Sequence, residues 1–255
     1  MQVVFGAGVL YGTQLTDALG NTIATPTPVK FGVLQECSMD ISFDTKMLYG
    51  NQQFPIAVGR GKGKVSGKAK AAQVNGALMN SILFGQTLTP SQQNMIAIDE
   101  GPTAIPVTPF AITVVNSATW TNDLGVYNNT TGLPLIRVAA AATPVTGQYK
   151  VVAGVYTFSS ADNASGVSVK INYGYTLATG GNKSTIANLL MGYAPTFKCD
   201  LTLPFQGKNL IISLGNCLSS KFSFATKLDD FLVPDFAFEA FADSAGNIMT
   251  YSLTE

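Results

Sequence analysis

The chain has 255 residues, enough for one sizeable domain or two smaller ones, and 46% of it is hydrophobic. Only 12% is charged, about half the roughly 25% usual in a soluble domain, and Lys plus Arg equals Asp plus Glu at 15 each. Zero net charge excludes global attraction to DNA or to an anionic membrane, and the lack of histidine removes the commonest general base, the Ser-His-Asp arrangement and most zinc sites.

The first cation is Lys30, so "MQVVFGAGVL" is not expected to be a secretory signal, and no apolar run reaches the roughly 18 residues of a membrane span. Without a signal, the Asn-x-Ser/Thr sites at Asn128, Asn129, Asn163 and Asn182 read as chance matches. Cys37, Cys199 and Cys217 lack C-x-x-C spacing and form an odd set, which predicts reduced, mostly buried thiols rather than a disulfide framework or zinc site.

Strand patterns dominate from the start. Residues 36 to 44 alternate, with Glu36, Ser38, Asp40, Ser42 and Asp44 on one face and Cys37, Met39, Ile41 and Phe43 on the other. Residues 58 to 70 alternate too: Arg60, Lys62, Lys64, Ser66, Lys68 and Lys70 share a face opposite Gly59, Gly61, Gly63, Val65, Gly67 and Ala69. The glycine-rich basic stretch "RGKGKVSGKAK" therefore reads as a strand, not a phosphate loop. Between the two lies a turn, Tyr49, Gly50, Asn51, Gln52, Gln53, Phe54 and Pro55. Pairing with opposed positions summing to 104 would set Asp44 against Arg60, Asp40 against Lys64 and Glu36 against Lys68, leaving Lys62 and Lys70 without an acid. The same register would lay Phe43, Ile41 and Cys37 over Gly61, Gly63 and Gly67. Tyr49 and Phe54 at the tip are either fold-back packing or an interface anchor.

The period then changes. "KAAQVNGALMNSILFG" places Val74, Leu78 and Ile82 four apart beside Ala71, Ala77 and Ser81, which predicts an amphipathic helix of about four turns stopped by Gly85. The Pro/Gly/Thr-rich stretch 99 to 109 reads as a boundary. Short strands are expected around Phe110 to Val115, Leu135 to Val138, Tyr149 to Val152, Val155 to Phe158 and Val167 to Tyr175, a spacing that suits a small inserted sandwich. A second short helix is expected in "NKSTIANLLMGYAP", capped by Ser184 or Thr185, with Ile186, Leu189 and Leu190 inward and Gly192 and Pro195 ending it. Phe197, Cys199, Leu201 and Leu203 then share a strand face, "NLIISL" reads as a buried run, and "FAFEAFADSAGNIMTYSL" reads as a hairpin turning at residues 244 to 247.

Catalytic templates fail. "TGGNKST" at 179 to 185 lacks the glycine before Lys183 and the first glycine of a phosphate loop. Asp229, Asp230 and Glu239 could form a carboxylate pair or hold a hard cation, but without calcium-loop spacing the plainer reading is a solvated turn or partners for another subunit's lysines. Trp120 reads as core before sugar platform. No enzyme, cofactor or metal site is expected. From Asp229 onward there are six acids and no Lys or Arg.

Three segments together resemble the bacteriophage tail tube (major tail) protein family: "TPTPVKFGVLQE"; "DTKMLYGNQQFPIAVGRGKGKVSGKAKAAQVNG" running into a helix that ends "LFG"; and the terminal "DDFLVPDFAFEAFADSAGNIMTYSL". "GQYKVVAGVYTFSSADNASGVSVKINYGYT" is similar to a β module common in phage structural proteins. The resemblance implies a mainly β, sandwich- or barrel-forming fold with a flanking helix over residues 1–103 and 179–255, and an inserted module over 104–178. It further implies a homo-oligomer of six-membered rings stacked into a tube. Residues Tyr49 to Pro55 would serve in stacking, other tail proteins would be partners, and DNA would pass through without being bound specifically. The place implied is the virion tail, assembled in the host bacterial cytoplasm, with no membrane. The alternative is a non-enzymatic virion decoration or carbohydrate-binding β module, which would not self-assemble into tubes.

Overall fold

The computed structural model describes residues 3–73, 76–86 and 89–254. It is mainly β and divides into two compact units, Met1–Leu88 with Ser184–Glu255, and Thr89–Lys183. In chain order the first unit begins with β1 (Val9–Gln14), β2 (Pro28–Lys30), β3 (Leu34–Tyr49) and β4 (Pro55–Ala71). The second unit holds β5 (Thr89–Pro90), β6 (Gln93–Ala104), β7 (Ala111–Thr113), β8 (Trp120–Asn128), β9 (Ile136–Arg137), β10 (Gln148–Val152), β11 (Val155–Phe158), β12 (Ser168–Leu177) and β13 (Asn182–Lys183). The chain returns to the first unit with β14 (Thr196–Phe205), β15 (Lys208–Ser223), β16 (Asp235–Phe241) and β17 (Met249–Leu253).

The first unit is built on one antiparallel sheet in the order β2-β1-β14-β15-β16-β4-β3, with β17 also paired to β15. Its two outermost strands, β2 and β3, are joined by residues 31–33 alone. Laid flat, seven strands at about 4.8 Å would hold those edges about 29 Å apart, whereas the four Cα steps from Lys30 to Leu34 span at most about 15 Å. The sheet must roll. The Phe31 ring lies 5.2 Å from that of Phe236 on β16, inside the roll, and Phe197 and Phe238 complete an aromatic core with Leu10, Ile82, Cys199, Leu214 and Cys217.

A short helix of π type, Leu78–Phe84, closes one side, with Ile82 fully buried and Gly85 in the left-handed region at its end. It is shorter than the four turns expected because β4 runs on to Ala71; Val74 lies outside the described residues. The second expected helix, from Ser184 or Thr185, is absent. Ile186, Leu190 and Met191 are exposed, and a two-turn segment with no surface to bury its apolar side against does not sustain a helix. The terminal hairpin is not formed either. β16 and β17 run in the same direction along one edge of β15, β16 against Asn216–Ser223 and β17 against Leu210–Leu214. The turn at Asp243–Asn247, held by the Asp243 carboxylate accepting from the backbone N–H groups of Ala245 and Asn247, interrupts one long strand instead of reversing it.

The second unit packs a sheet of order β7-β11-β10-β9 and one of order β6-β12-β8 around Val126, Tyr149, Tyr156, Val169 and Tyr173. Its boundary differs from residues 104–178: β6 pairs with β12 along its length, which carries the Pro/Gly-rich stretch into the unit. A five-residue α-helix, Ser160–Ala164, capped by the Ser159 hydroxyl, was not signalled by periodicity.

In the first unit Gly67 sits under the Phe238 ring, where a Cβ would overlap ring atoms, and that ring is 1% exposed. A Cβ at Gly63 would likewise stand 2.8 Å from Phe43 Cε1, but Phe43 is 46% exposed and free to swing. Gly67→Ala is therefore expected to cost about 1–3 kcal/mol and Gly63→Ala less than about 0.5 kcal/mol, measured by denaturant unfolding; equal losses would refute this account of the core.

Candidate assembly surface on the charged hairpin

β3 and β4 pair over their whole length, but only their roots belong to the core. From Asp40 to Lys64 every residue except Pro55 is exposed, so roughly ten residues of each strand, about 33 Å, project beyond the roll. The arm is not polar throughout: Ile41, Phe43, Met47, Leu48, Tyr49, Phe54, Ile56 and Val58 are all exposed. Tyr49 ends β3, Gly50 to Phe54 make the turn and Pro55 opens β4. The Tyr49 hydroxyl reaches only Met47 Sδ at 3.3 Å, and Phe54 is 79% exposed, so neither ring folds back onto a core.

The charged ladder exists in a different register. Glu36 opposes Lys70, Ser38 opposes Lys68, Asp40 opposes Ser66 and Ser42 opposes Lys64. Neither Glu36 with Lys68, nor Asp40 with Lys64, nor Asp44 with Arg60 is paired. The expected register holds only at Tyr49 and Pro55. Irregularities between Leu48 and Tyr49 and between Phe43 and Thr45 each slip the ladder by one residue, so from Phe43 back to Glu36 it is shifted by two, which keeps each side chain there on its expected face while changing its partner. On the tip side of the Phe43–Thr45 irregularity Thr45 opposes Arg60, and the extra residue of β4 at Gly61–Lys62 turns Arg60 to the apolar face. There its guanidinium lies 4.1 Å from the centre of the Phe43 ring.

Ion pairs follow the observed register. Lys70 Nζ donates to Glu36 at 2.5 Å, which holds the Glu36 carboxyl below its usual range and raises Lys70. Lys64 meets Glu239 of β16 at 2.7 Å, Lys198 meets Asp200 at 3.0 Å and Lys221 meets Asp235 at 3.9 Å. Register places all four pairs on the outward face of the rolled sheet, because Phe197, Cys199, Phe236, Phe238, Val65 and Ala69 alternate with them inward. The acids after Asp229 are thus not uncompensated: Glu239 and Asp235 are bridged from neighbouring strands, and Asp230 is bridged by Lys227 at 3.3 Å. Asp229, Asp230 and Glu239 are not assembled into an acid pair.

Where the arm leaves the sheet a groove opens. β16 pairs with β4 only from Val65 to Lys70, and β17 continues along β15 while the arm diverges. Between them Ile41, Phe43, Val65, Ile248 and Met249 line an apolar cleft of about 440 Å³, with Lys64 at its rim. No sequence pattern pointed to Ile248 or Met249, because the contact is set by the interruption after β16.

Other candidates resolve into structure. Trp120 packs on the second core and its Nε1 donates to the Tyr156 hydroxyl at 3.4 Å. Asp123, almost fully buried, accepts from Tyr149 at 2.7 Å and Tyr156 at 3.1 Å, with Arg137 at 3.6 Å; burial, then the acid, pushes the Tyr149 phenol up. Both its oxygens are occupied, so it ties β8 to the facing sheet. All three cysteines are free; burial pushes the Cys37 thiol up to about 11, and its hydrogen bond with Cys217, then burial, raises Cys199. Among the described residues no three His, Cys, Asp or Glu gather as a metal site, and no helix is long and apolar enough to cross a membrane. In comparisons with known proteins, the chain matches no family model and no curated protein.

The register is checked by two double-mutant cycles. Lys64→Glu with Glu239→Lys should recover about 0.2–1 kcal/mol of coupling, the range of exposed pairs. Lys64→Glu with Asp40→Lys should be additive, since both acids lie diagonal to Lys64 but only Glu239 forms an ion pair with it. Coupling in the second cycle and none in the first would restore the unshifted ladder.

Proposed function

We propose that the chain is a non-enzymatic structural subunit of a bacteriophage tail, self-assembling into stacked six-membered rings that form the tail tube. The observation that carries this reading is the protruding β3–β4 arm. A two-stranded hairpin is marginally stable alone in water, and this one exposes apolar side chains on both faces. Its outer strand β3 pairs only with β4, leaving an edge of sixteen residues open, and β4 from Pro55 to Lys64 pairs with nothing on its other side. Open edges of that length template pairing with further copies, and an arm reaching past its own core is suited to the next ring. The sparse charge of the chain agrees with a surface largely covered by neighbours.

A conduit must release what it carries. Free lysines along a wall would hold phosphates through counterion release, each contact adding to the grip. On the outward sheet face Lys64, Lys70, Lys198 and Lys221 are each engaged by a carboxylate, which leaves Lys62 and Lys68 as the cations of β4 on that face without an ion pair among the described residues.

Electron microscopy of the purified protein should show rings or tubes; a monodisperse monomer at milligram-per-millilitre concentration would overturn the reading and favour a decoration or carbohydrate-binding module. Tyr49→Ala with Phe54→Ala should leave a folded subunit that forms rings without stacking, and full-length tubes from that variant would remove the turn from the interface. A fluorescence-anisotropy titration with duplex DNA at physiological salt should show no binding; micromolar, salt-sensitive affinity abolished by Lys62→Ala/Lys64→Ala would contradict passage without capture.

A further inference from the structure

The groove beside the arm has a complement elsewhere on the chain. After β15 the backbone makes a tight turn, closed by a bridge between Lys227 and Asp230 and their 3.3 Å ion pair, with the Phe231 N–H donating to Asp230 Oδ1 at 2.9 Å. This small scaffold presents Leu228 at 98% and Phe231 at 90% exposure, two apolar side chains flanking Asp229. Asp229 has no ion pair among the described residues.

We propose that this turn of one copy seats in the groove of a second copy, Leu228 and Phe231 against Ile41, Phe43, Val65, Ile248 and Met249, with Asp229 facing Arg60. The proposal rests on the self-assembly reading and names the surfaces that meet. Charge chooses the occupant. Arg60, held over the Phe43 wall of the groove, has no carboxylate partner among the described residues, while Lys64 is already engaged by Glu239. Of the exposed apolar segments, the arm tip "GNQQFP", the N-terminal Val3 and Phe5 and residues 186–191 carry no acid, and the acids beside Ile96 and Ile98 are engaged, Asp99 by Lys170 and Glu100 by the Val115 N–H, whereas the 228–231 turn offers Asp229 without an ion pair.

The turn cannot serve its own groove. Pro234 accepts from the Ala71 N–H at the root of β4, whereas the groove begins at Val65, opposite Ala240. The length of β16, about 20 Å, separates them. Two different patches on one chain make a heterologous contact, which propagates from copy to copy until rotation closes it.

The experiment mixes two full-length variants, Phe231→Cys and Ile248→Cys, each confirmed folded by circular dichroism, under mild oxidation. A covalent dimer in the mixture and not in either variant alone is the expected result. In parallel, Asp229→Lys should raise the half-assembly concentration about tenfold, and adding Arg60→Glu to the same chain should restore it. If the wild type assembles but no cross-link forms, or if Ile248→Cys instead couples to Phe54→Cys or Phe5→Cys, this contact is wrong and self-assembly stands. If the wild type does not assemble at all, both fall together.

Discussion

The short tie from β2 to β3 is the constraint on which the first unit depends. Because Phe31 to Val33 must bridge the two outermost strands, the sheet rolls, and Phe31 enters the interior against Phe236. A rolled sheet leaves little room on its inner side for both a ring and the strand beneath it, so large side chains meet positions without them. Phe238 lies over Gly67, and a Cβ at Gly12 would stand 2.8 Å from the Phe31 ring. The roll also decides where β3 and β4 stop being core. Past Val65 they have left the wall that buries their apolar face, and they continue as an arm.

A single extra residue in β4 then shapes the arm. At Gly61–Lys62 the ladder with β3 slips, Arg60 changes face, and the hairpin parts from the line of β17. Without that bulge, Arg60 would stand among the lysines on the outward face. With it, the guanidinium stacks on Phe43 at the mouth of the cleft that the divergence opens. The bulge thus sets the charge at the edge of a groove that opens where β4 leaves β16 after Val65.

Period-two alternation made the two long strands and their charged face legible in the sequence, because side-chain parity survives a slip of two. The expected covering of Gly61, Gly63 and Gly67 by Phe43, Ile41 and Cys37 did not hold, since Phe43 opposes Gly63, Ile41 opposes Val65, Cys37 opposes Ala69 and Phe238 covers Gly67. Partners were not legible. Lys64 finds Glu239 through a strand far along the chain, and Glu36 takes Lys70 because two one-residue slips nearer the tip, at Leu48–Tyr49 and Phe43–Thr45, have moved the ladder by two. The C-terminal strands were visible as alternation, but turn residues report a change of direction only when the next strand has nowhere to go but back. Here β15 is long enough to receive β16 and β17 end to end on one edge. Helical spacing in residues 184 to 195 misled for a related reason: periodicity describes a face, and that segment lacks a surface to receive it.

Placement of charge reconciles an exposed apolar arm with a folded monomer. Residues 36 to 70 carry Glu36, Asp40, Asp44, Lys46, Arg60, Lys62, Lys64, Lys68 and Lys70, nine of the chain's thirty charged side chains in thirty-five positions. A long open edge would otherwise pair with any strand presented to it, and interspersed charges make most registers unfavourable by setting like against like. They leave favourable those partners whose own pattern matches in sign and spacing, and a copy of the same chain supplies such a pattern by construction. Under the proposed self-assembly, sparse charge elsewhere and dense charge here would express one requirement, that the arm associate readily with its own kind and poorly with anything else.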